Sequence, residues 1–261
     1  MSIGSQAGAP SPTERRSLPV LQRLYREARV VGFTHDDQHI VFYSKVNALL
    51  RQEMTVLDFG AGRGQFVEWP FPFRRELMTL KGKCTRLVGY DLDPIVAENP
   101  LLDEVVIGTP GQPLPFADAT FDLIVSRATF EHVEEPEACA AELARVLKPG
   151  GWLCAWTPNR WGIVALGGRL VPNHLHAVVL KRLLPNRKGH DIFPTVYRMN
   201  TLGALARLFP APAFRHFSYT FSGPPTYHGN RLWLAWLLRA YNTLTPSAAR
   251  ESLHVFIQKA V

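Results

Sequence analysis

The run Val56-Leu57-Asp58-Phe59-Gly60-Ala61-Gly62-Arg63-Gly64 ends an apolar stretch in a carboxylate and then sets glycine at every second position. A glycine-rich turn lets another molecule's atoms approach the backbone, and a carboxylate beside it can accept hydrogen bonds from an ammonium. Nucleotide-binding α/β units carry such a turn at the carboxyl end of the first strand, where these sheets bind ligands. The dinucleotide fingerprint needs its third glycine at position 65, which holds Gln65, the glycine having moved to Gly64. The phosphate loop needs Gly-Lys-Ser/Thr and meets Gly64-Gln65-Phe66. Neither NAD nor ATP suits this spacing.

A second apolar run, Arg86 to Asp91, also ends in a carboxylate. Leu92-Asp93-Pro94 follows as a helix start, at which Asp91 or Asp93 could instead act as a cap. Candidate proton-handling groups lie further on. His132 carries an imidazole that titrates near neutrality, and His190 stands beside Asp191, a carboxylate able to raise its basicity. Tyr197-Arg198 could position an anionic or hydroxylated molecule. His174 and His176 lack further ligands at metal-binding spacing. Cys84, Cys139 and Cys154 are odd in number and far apart, so neither a metal site nor a disulfide framework is expected.

An acidic residue, any residue, then Gly-x-Gly-x-Gly over Asp58 to Gly64 resembles motif I of the class I S-adenosylmethionine-dependent methyltransferases. The stretch Leu114-Pro115-Phe116-Ala117-Asp118-Ala119-Thr120-Phe121-Asp122-Leu123-Ile124-Val125-Ser126 resembles the approach to the fourth strand in their type 11 group. Phe130-Glu131-His132-Val133 and Lys148-Pro149-Gly150-Gly151 resemble segments that follow it, so the likeness runs in order over residues 54–157. It implies S-adenosylmethionine as cofactor, its ammonium answered by loop carbonyls and Asp58, its ribose hydroxyls by Asp91. The likeness carries cofactor contacts onto Asp58, Phe59, Gly60, Ala61, Gly62, Gly64, Asp91, Leu92, Gly108, Thr109, Pro110, Ser126 and Arg127. Thr109 and Pro110 depart from the family, which often has an acidic or amide residue there for the adenine amino group; adenine contacts then fall to backbone. A base is needed only for a poorly acidic hydroxyl, with His190 the first candidate and His132 the second, although the family's histidine at the latter position is commonly structural.

The fold implied is α/β: a Rossmann-like, doubly wound, seven-stranded sheet, mostly parallel with an antiparallel last strand, in three α/β/α layers. Helical spacing of Leu18, Leu21 and Leu24 predicts a leading helix over 14–30, and a second helix over 37–51 presents Ile40, Val41, Tyr43, Val46, Leu49 and Leu50. Strands are expected at 54–59, 86–91, 104–107, from about 121, and at 152–157, where Lys-Pro-Gly-Gly stops the helix over 136–147 and turns into the strand. Pro70 and Pro72 leave 69–84 irregular or a short helix. Residues 1–13 form a flexible tail, 14–53 N-terminal helices, 54–157 the cofactor core, 158–199 a substrate-cap insertion, and 200–261 C-terminal helices and edge strands. The last strands are placed at 214–221 and 253–258.

Of 261 residues 46% are apolar, enough for a buried core, and no apolar run approaches the roughly 20 residues that span a bilayer. A net charge of +7 favours polyanions in general, yet the basic residues are scattered, and no specific nucleic-acid partner is expected. The segment Arg231 to Tyr241 sets Trp233, Trp236, Leu237 and Tyr241 on one helical face between arginines, consistent with a core helix, an acceptor wall or an interfacial helix. The combined expectation is a cytoplasmic enzyme, free or peripheral to an anionic membrane. It would move a methyl group to oxygen, rather than nitrogen or carbon, of a small-molecule, glycan or lipid-linked acceptor. A non-catalytic binding protein of the same fold is the alternative, and oligomeric state is left open.

Overall fold

The computed structural model describes residues 19–68, 71–170 and 194–261. The tail over 1–13, His190 with Asp191, and His174 and His176 lie outside the described residues.

Strands β1 (Thr55–Phe59), β2 (Arg86–Asp91), β3 (Glu104–Ile107), β4 (Phe121–Arg127), β5 (Leu147–Pro158), β6 (Phe214–His216), β7 (Tyr219–Phe221) and β8 (Ser252–Lys259) make one sheet. Its order is β3-β2-β1-β4-β5-β8-β6, with β7 also on β8. The first five pair in parallel, while β8 runs antiparallel to β5, β6 and β7. Because β6 and β7 share one edge of β8, the sheet has the seven positions expected.

Parallel strands buried on both faces read as continuous apolar runs, and their alternate residues feed two separate cores. Leu57, Ile124, Leu153 and Val255 pack on one face against helix α5 (Pro136–Val146) and helix α7 (Leu202–Leu208). On the other, Val56, Leu123, Val125, Cys154 and Phe256 meet Phe42, Tyr43 and Val46 of helix α3 (Gln38–Leu49) and Met78 of helix α4 (Pro72–Met78). Each such side chain taken fully out of water contributes about 1.5–3 kcal/mol. A smaller layer joins helices α1 (Val20–Leu24), α2 (Ala28–Val31) and α8 (Leu232–Leu244) through Leu24, Tyr25, Ala28 and Ala235.

Three expectations are corrected. The leading helix is two short ones, because Tyr25 leaves helical geometry and donates its hydroxyl to Asp36 Oδ2 at 2.9 Å. Strand β5 starts at Leu147 instead of Trp152: Leu147 pairs with Phe121, and Lys148 reaches both carboxylate oxygens of Asp122, so Lys-Pro-Gly-Gly lies within the strand. The edge strand at 214–221 is interrupted at Phe217 and Ser218, although its register on β8 is unbroken. There Phe256 N donates to the Ser218 hydroxyl, which replaces a ladder carbonyl.

Of the insertion, residues 158–170, with helix α6 (Ile163–Leu170), and 194–199 are described. Its two ends meet: Arg160 N donates to Asn200 O, and Asn200 Nδ2 to Pro158 O, both at 2.9 Å. Among the described residues no helix is long and apolar enough to cross a membrane, and no group of three or more His, Cys, Asp or Glu could hold a metal.

Candidate active site

The glycine turn follows β1 at the carboxyl edge of the sheet, and its conformation excludes other residues. Gly60, Gly62 and Gly64 have φ of 76°, 53° and 68°, a region that costs a side-chain-bearing residue on the order of 1 kcal/mol or more. A Cβ on Gly60 would collide with Thr129, and one on Gly64 with Asn99, whereas one on Gly62 would meet nothing within 4 Å. The space above Gly62 is therefore open, with the chain packed tightly on either side of it.

Backbone and side chains from β2 hold the turn. Gly60 N and Ala61 N both donate to Tyr90 O, and Gly62 N donates to Asp91 Oδ2 at 2.8 Å. Asp91 Oδ1 accepts from Asp93 N, and Asp93 caps the next turn by accepting from Ile95 N. Asn99 reaches back with its amide to Ala61 O and Gly62 O, at 3.3 and 3.0 Å. Asn99 went unread in the sequence, where a lone amide 37 residues beyond the loop carries no local signal.

Asp58 is half-buried, and its carboxylate has no hydrogen bond among the described residues. Burial pushes its pKa up from 3.8 to about 7; Arg127 draws it down and Asp91 pushes it further up. Tyr43 lies within electrostatic reach of Asp58 and Arg127, and burial raises its phenol, which stays protonated. Reading Tyr43 as one member of an apolar helix face missed this placement.

The other expected contacts line the same edge. Phe59 stacks on Tyr90 with rings 5.7 Å apart, and Ser126 donates to Phe59 O at 2.8 Å. Leu92, Thr109 and Pro110 are exposed after β2 and β3, and Gly108 lacks a side chain because a Cβ would strike the Tyr90 ring.

Across β4 and β5 the edge becomes a layer of neutral hydrogen-bonding groups. Asp37 caps α3, accepting from His39 N and Ile40 N and from Arg74, which sets His39 over the Trp156 ring at 5.2 Å. Trp156 pairs with His254 across β5 and β8. His254 is fully buried between Phe221 and Phe42; its Nδ1 meets the Tyr219 hydroxyl at 3.1 Å. Its Nε2 has no partner among the described residues, nor have the buried Trp156 Nε1, Gln38 Oε1 and Ser222 Oγ. Burial lowers the imidazole of His254 to about 3 and that of His39 well below its usual range, so both are neutral. Unsatisfied buried polar atoms are rare in folded proteins, and Trp156 and His254, paired across β5 and β8, each carry one.

On the opposite face His132 Nδ1 donates to Pro194 O at 2.7 Å, which fixes the neutral tautomer with Nε2 as the basic nitrogen. Glu131 beside it is buried, which raises its carboxyl. Its Oε2 accepts from Thr157, whose hydroxyl accepts from Asn200 Nδ2, and its backbone oxygen accepts from Val196 N and Tyr197 N. Arg198 donates to Glu134 O, so it braces this segment.

An open glycine turn between two carboxylates, on a mostly parallel sheet closed by an antiparallel strand, is similar to the cofactor end of class I methyltransferase domains, which bind S-adenosylmethionine. The family model described as Methyltransferase domain matches residues 57–155. An uncharacterized methyltransferase of Mycobacterium leprae is 29% identical over 53% of this chain and 53% of its own. A malonyl-[acyl-carrier protein] O-methyltransferase of Hahella chejuensis is 36% identical over 28% of each. The chain spans about half the length, or less, of the curated relatives it matches. Among solved structures, the [4+2]-cyclase SpnF superposes with a TM-score of 0.52 at 17% identity, over 85% of this chain and 80% of its own, and shares the fold.

The residues present fit the cofactor. The open side of Gly62 admits a ligand against backbone, and Asp58, drawn down by Arg127 and pushed up by burial, suits the cofactor's ammonium when ionised. Asp91 is held at the end of β2, where ribose hydroxyls would be received.

Proposed function

We propose that this chain is an S-adenosylmethionine-dependent methyltransferase acting on an oxygen of a small-molecule, glycan or lipid-linked acceptor. The observation that carries the reading is the glycine turn pinned by Asp91 and Asn99, open at Gly62 and flanked by Asp58. The bound cofactor would supply a methyl group already activated on a sulfonium. What the chain must add is position and exclusion of water. Asp58, Asp91 and the loop amides bind and orient the donor end; Phe59 and Tyr90, stacked beneath the turn, stiffen it. The unanswered polar atoms of Gln38, Trp156, Ser222 and His254 support an acceptor that offers hydroxyl or carbonyl groups. For a hydroxyl of low acidity, His132 would be the candidate base, its Nδ1 on Pro194 O and its Nε2 4.0 Å from Glu131 Oε1, for an acceptor that enters on that face. His190, the other candidate base, lies outside the described residues.

Calorimetry with S-adenosylhomocysteine tests the donor half: wild type binds, while Gly62→Val and Asp91→Ala bind at least about ten-fold more weakly. Unchanged affinity in both variants refutes the reading. Release of S-adenosylhomocysteine over a panel of sugars, lipid-linked glycans, quinones and phenols, with and without detergent, then finds the acceptor.

A further inference from the structure

Helix α8 packs on the protein through Ala235, which is fully buried, through Leu232, and through Arg239, which reaches inward to Leu24 O with its guanidinium 4.5 Å from the Tyr25 ring. Its outer face carries large apolar side chains, with Trp233 64%, Trp236 52%, Leu237 60% and Leu244 82% exposed. The spacing 233, 236, 237, 244 makes one continuous stripe along thirteen residues. Single exposed apolar residues are common; an unbroken stripe of tryptophan and leucine marks a docking surface.

The charge of the chain selects the occupant. Between residues 143 and 250 it carries fourteen lysines and arginines and one carboxylate, Asp191; Arg145 and Lys148 are paired with Asp118, Glu142 and Asp122, and from 192 to 250 there are six arginines and no carboxylate. At a net charge of +7 a second copy is repelled, whereas an anionic bilayer answers both features at once: tryptophan and leucine enter the headgroup and acyl boundary while the exposed Arg231 at the start of the helix meets lipid phosphates. We propose that helix α8 docks this protein on the surface of an anionic lipid bilayer.

The helix is tied to the acceptor side of the sheet. Asn242 donates to Gly223 O, and Gly223 lies against Gln38 at the neutral layer. Docking would therefore hold the acceptor side close to the lipid, which agrees with an amphipathic or lipid-linked acceptor and, for that purpose alone, rests on the proposed function.

Flotation of the full chain with vesicles of two parts phosphatidylcholine to one part phosphatidylglycerol tests the docking, with phosphatidylcholine vesicles as the control. The expected result is co-flotation with the anionic vesicles, weakened by added salt, with a blue shift of tryptophan fluorescence. Trp233→Ser, Trp236→Ser and Leu237→Ser combined should cut the bound fraction at least about ten-fold and leave S-adenosylhomocysteine binding as in wild type. The proposal is overturned by absence of flotation or by flotation that the triple variant retains. A concentration-dependent dimer that the triple variant abolishes would also overturn it and assign the stripe to a second copy. Wild-type chain that floats but binds no S-adenosylhomocysteine would refute the methyltransferase reading and leave the docking standing.

Discussion

Asp58→Asn removes the one carboxylate that the glycine turn presents without a hydrogen bond among the described residues, and its effect on stability has a definite sign. Burial holds this carboxyl at about 7 against 3.8, so between those values the folded chain keeps a proton that the unfolded chain has released. Stability of the ligand-free protein therefore falls as pH rises from about 4 to about 7 and stays low above that. The displacement corresponds to about 4 kcal/mol, reduced to about 2 kcal/mol by the water that reaches a half-buried group. The variant has no such proton to lose: it should match wild type near pH 4 and exceed it by about 2 kcal/mol at pH 8. Glu251, raised to about 7, and the buried Glu131 tilt both proteins in the same direction, so the difference between the two curves isolates Asp58. Binding runs the other way. An ionised Asp58 is what an ammonium needs, so wild-type affinity for S-adenosylhomocysteine should rise by up to about ten-fold per pH unit approaching 7, and the variant should bind weakly with no such rise. Urea denaturation and calorimetry over about pH 4 to 8 read both effects. Stability curves that stay parallel across that range would refute the argument.

Gly60→Ala forces a positive φ and a collision with Thr129; a loss of about 3 kcal/mol, or failure to accumulate folded protein, is expected by thermal denaturation. Asn99→Ala removes two bonds to the turn and should cost about 2 kcal/mol while weakening S-adenosylhomocysteine by about ten-fold; a stability loss with unaltered affinity would show that the clamp serves folding alone. His254→Phe removes the unanswered Nε2 together with the Nδ1 partner of the Tyr219 hydroxyl, two opposing effects, so stability should stay within about 1 kcal/mol of wild type with cofactor affinity kept, and methyl transfer to the identified acceptor should fall.

The parts of the fold read correctly from sequence are those whose cause is local. A buried parallel strand is an apolar run in the chain, and the alternating glycines stand where positive φ demands them. The misread parts are decided by distant partners. Tyr25 breaks a helix because Asp36 accepts its hydroxyl, and the Ser218 hydroxyl interrupts an edge through a bond to Phe256. Trp156 and His254 come from strands about a hundred residues apart in the chain, and nothing local announces that they pair.

The meeting of Arg160 with Asn200 makes the insertion between them a closed excursion, entered and left at a single point on the sheet. Closing such a loop costs entropy that grows only slowly with its length, so adding residues between 170 and 194 alters stability little, whereas 194–199 are fixed by Pro194 on His132, Val196 and Tyr197 on Glu131, and the buried Met199. In engineering terms the Pro158–Asn200 junction is a socket into which a different recognition segment can be spliced between 170 and 194 while the glycine turn, Asp58 and Asp91 keep their places.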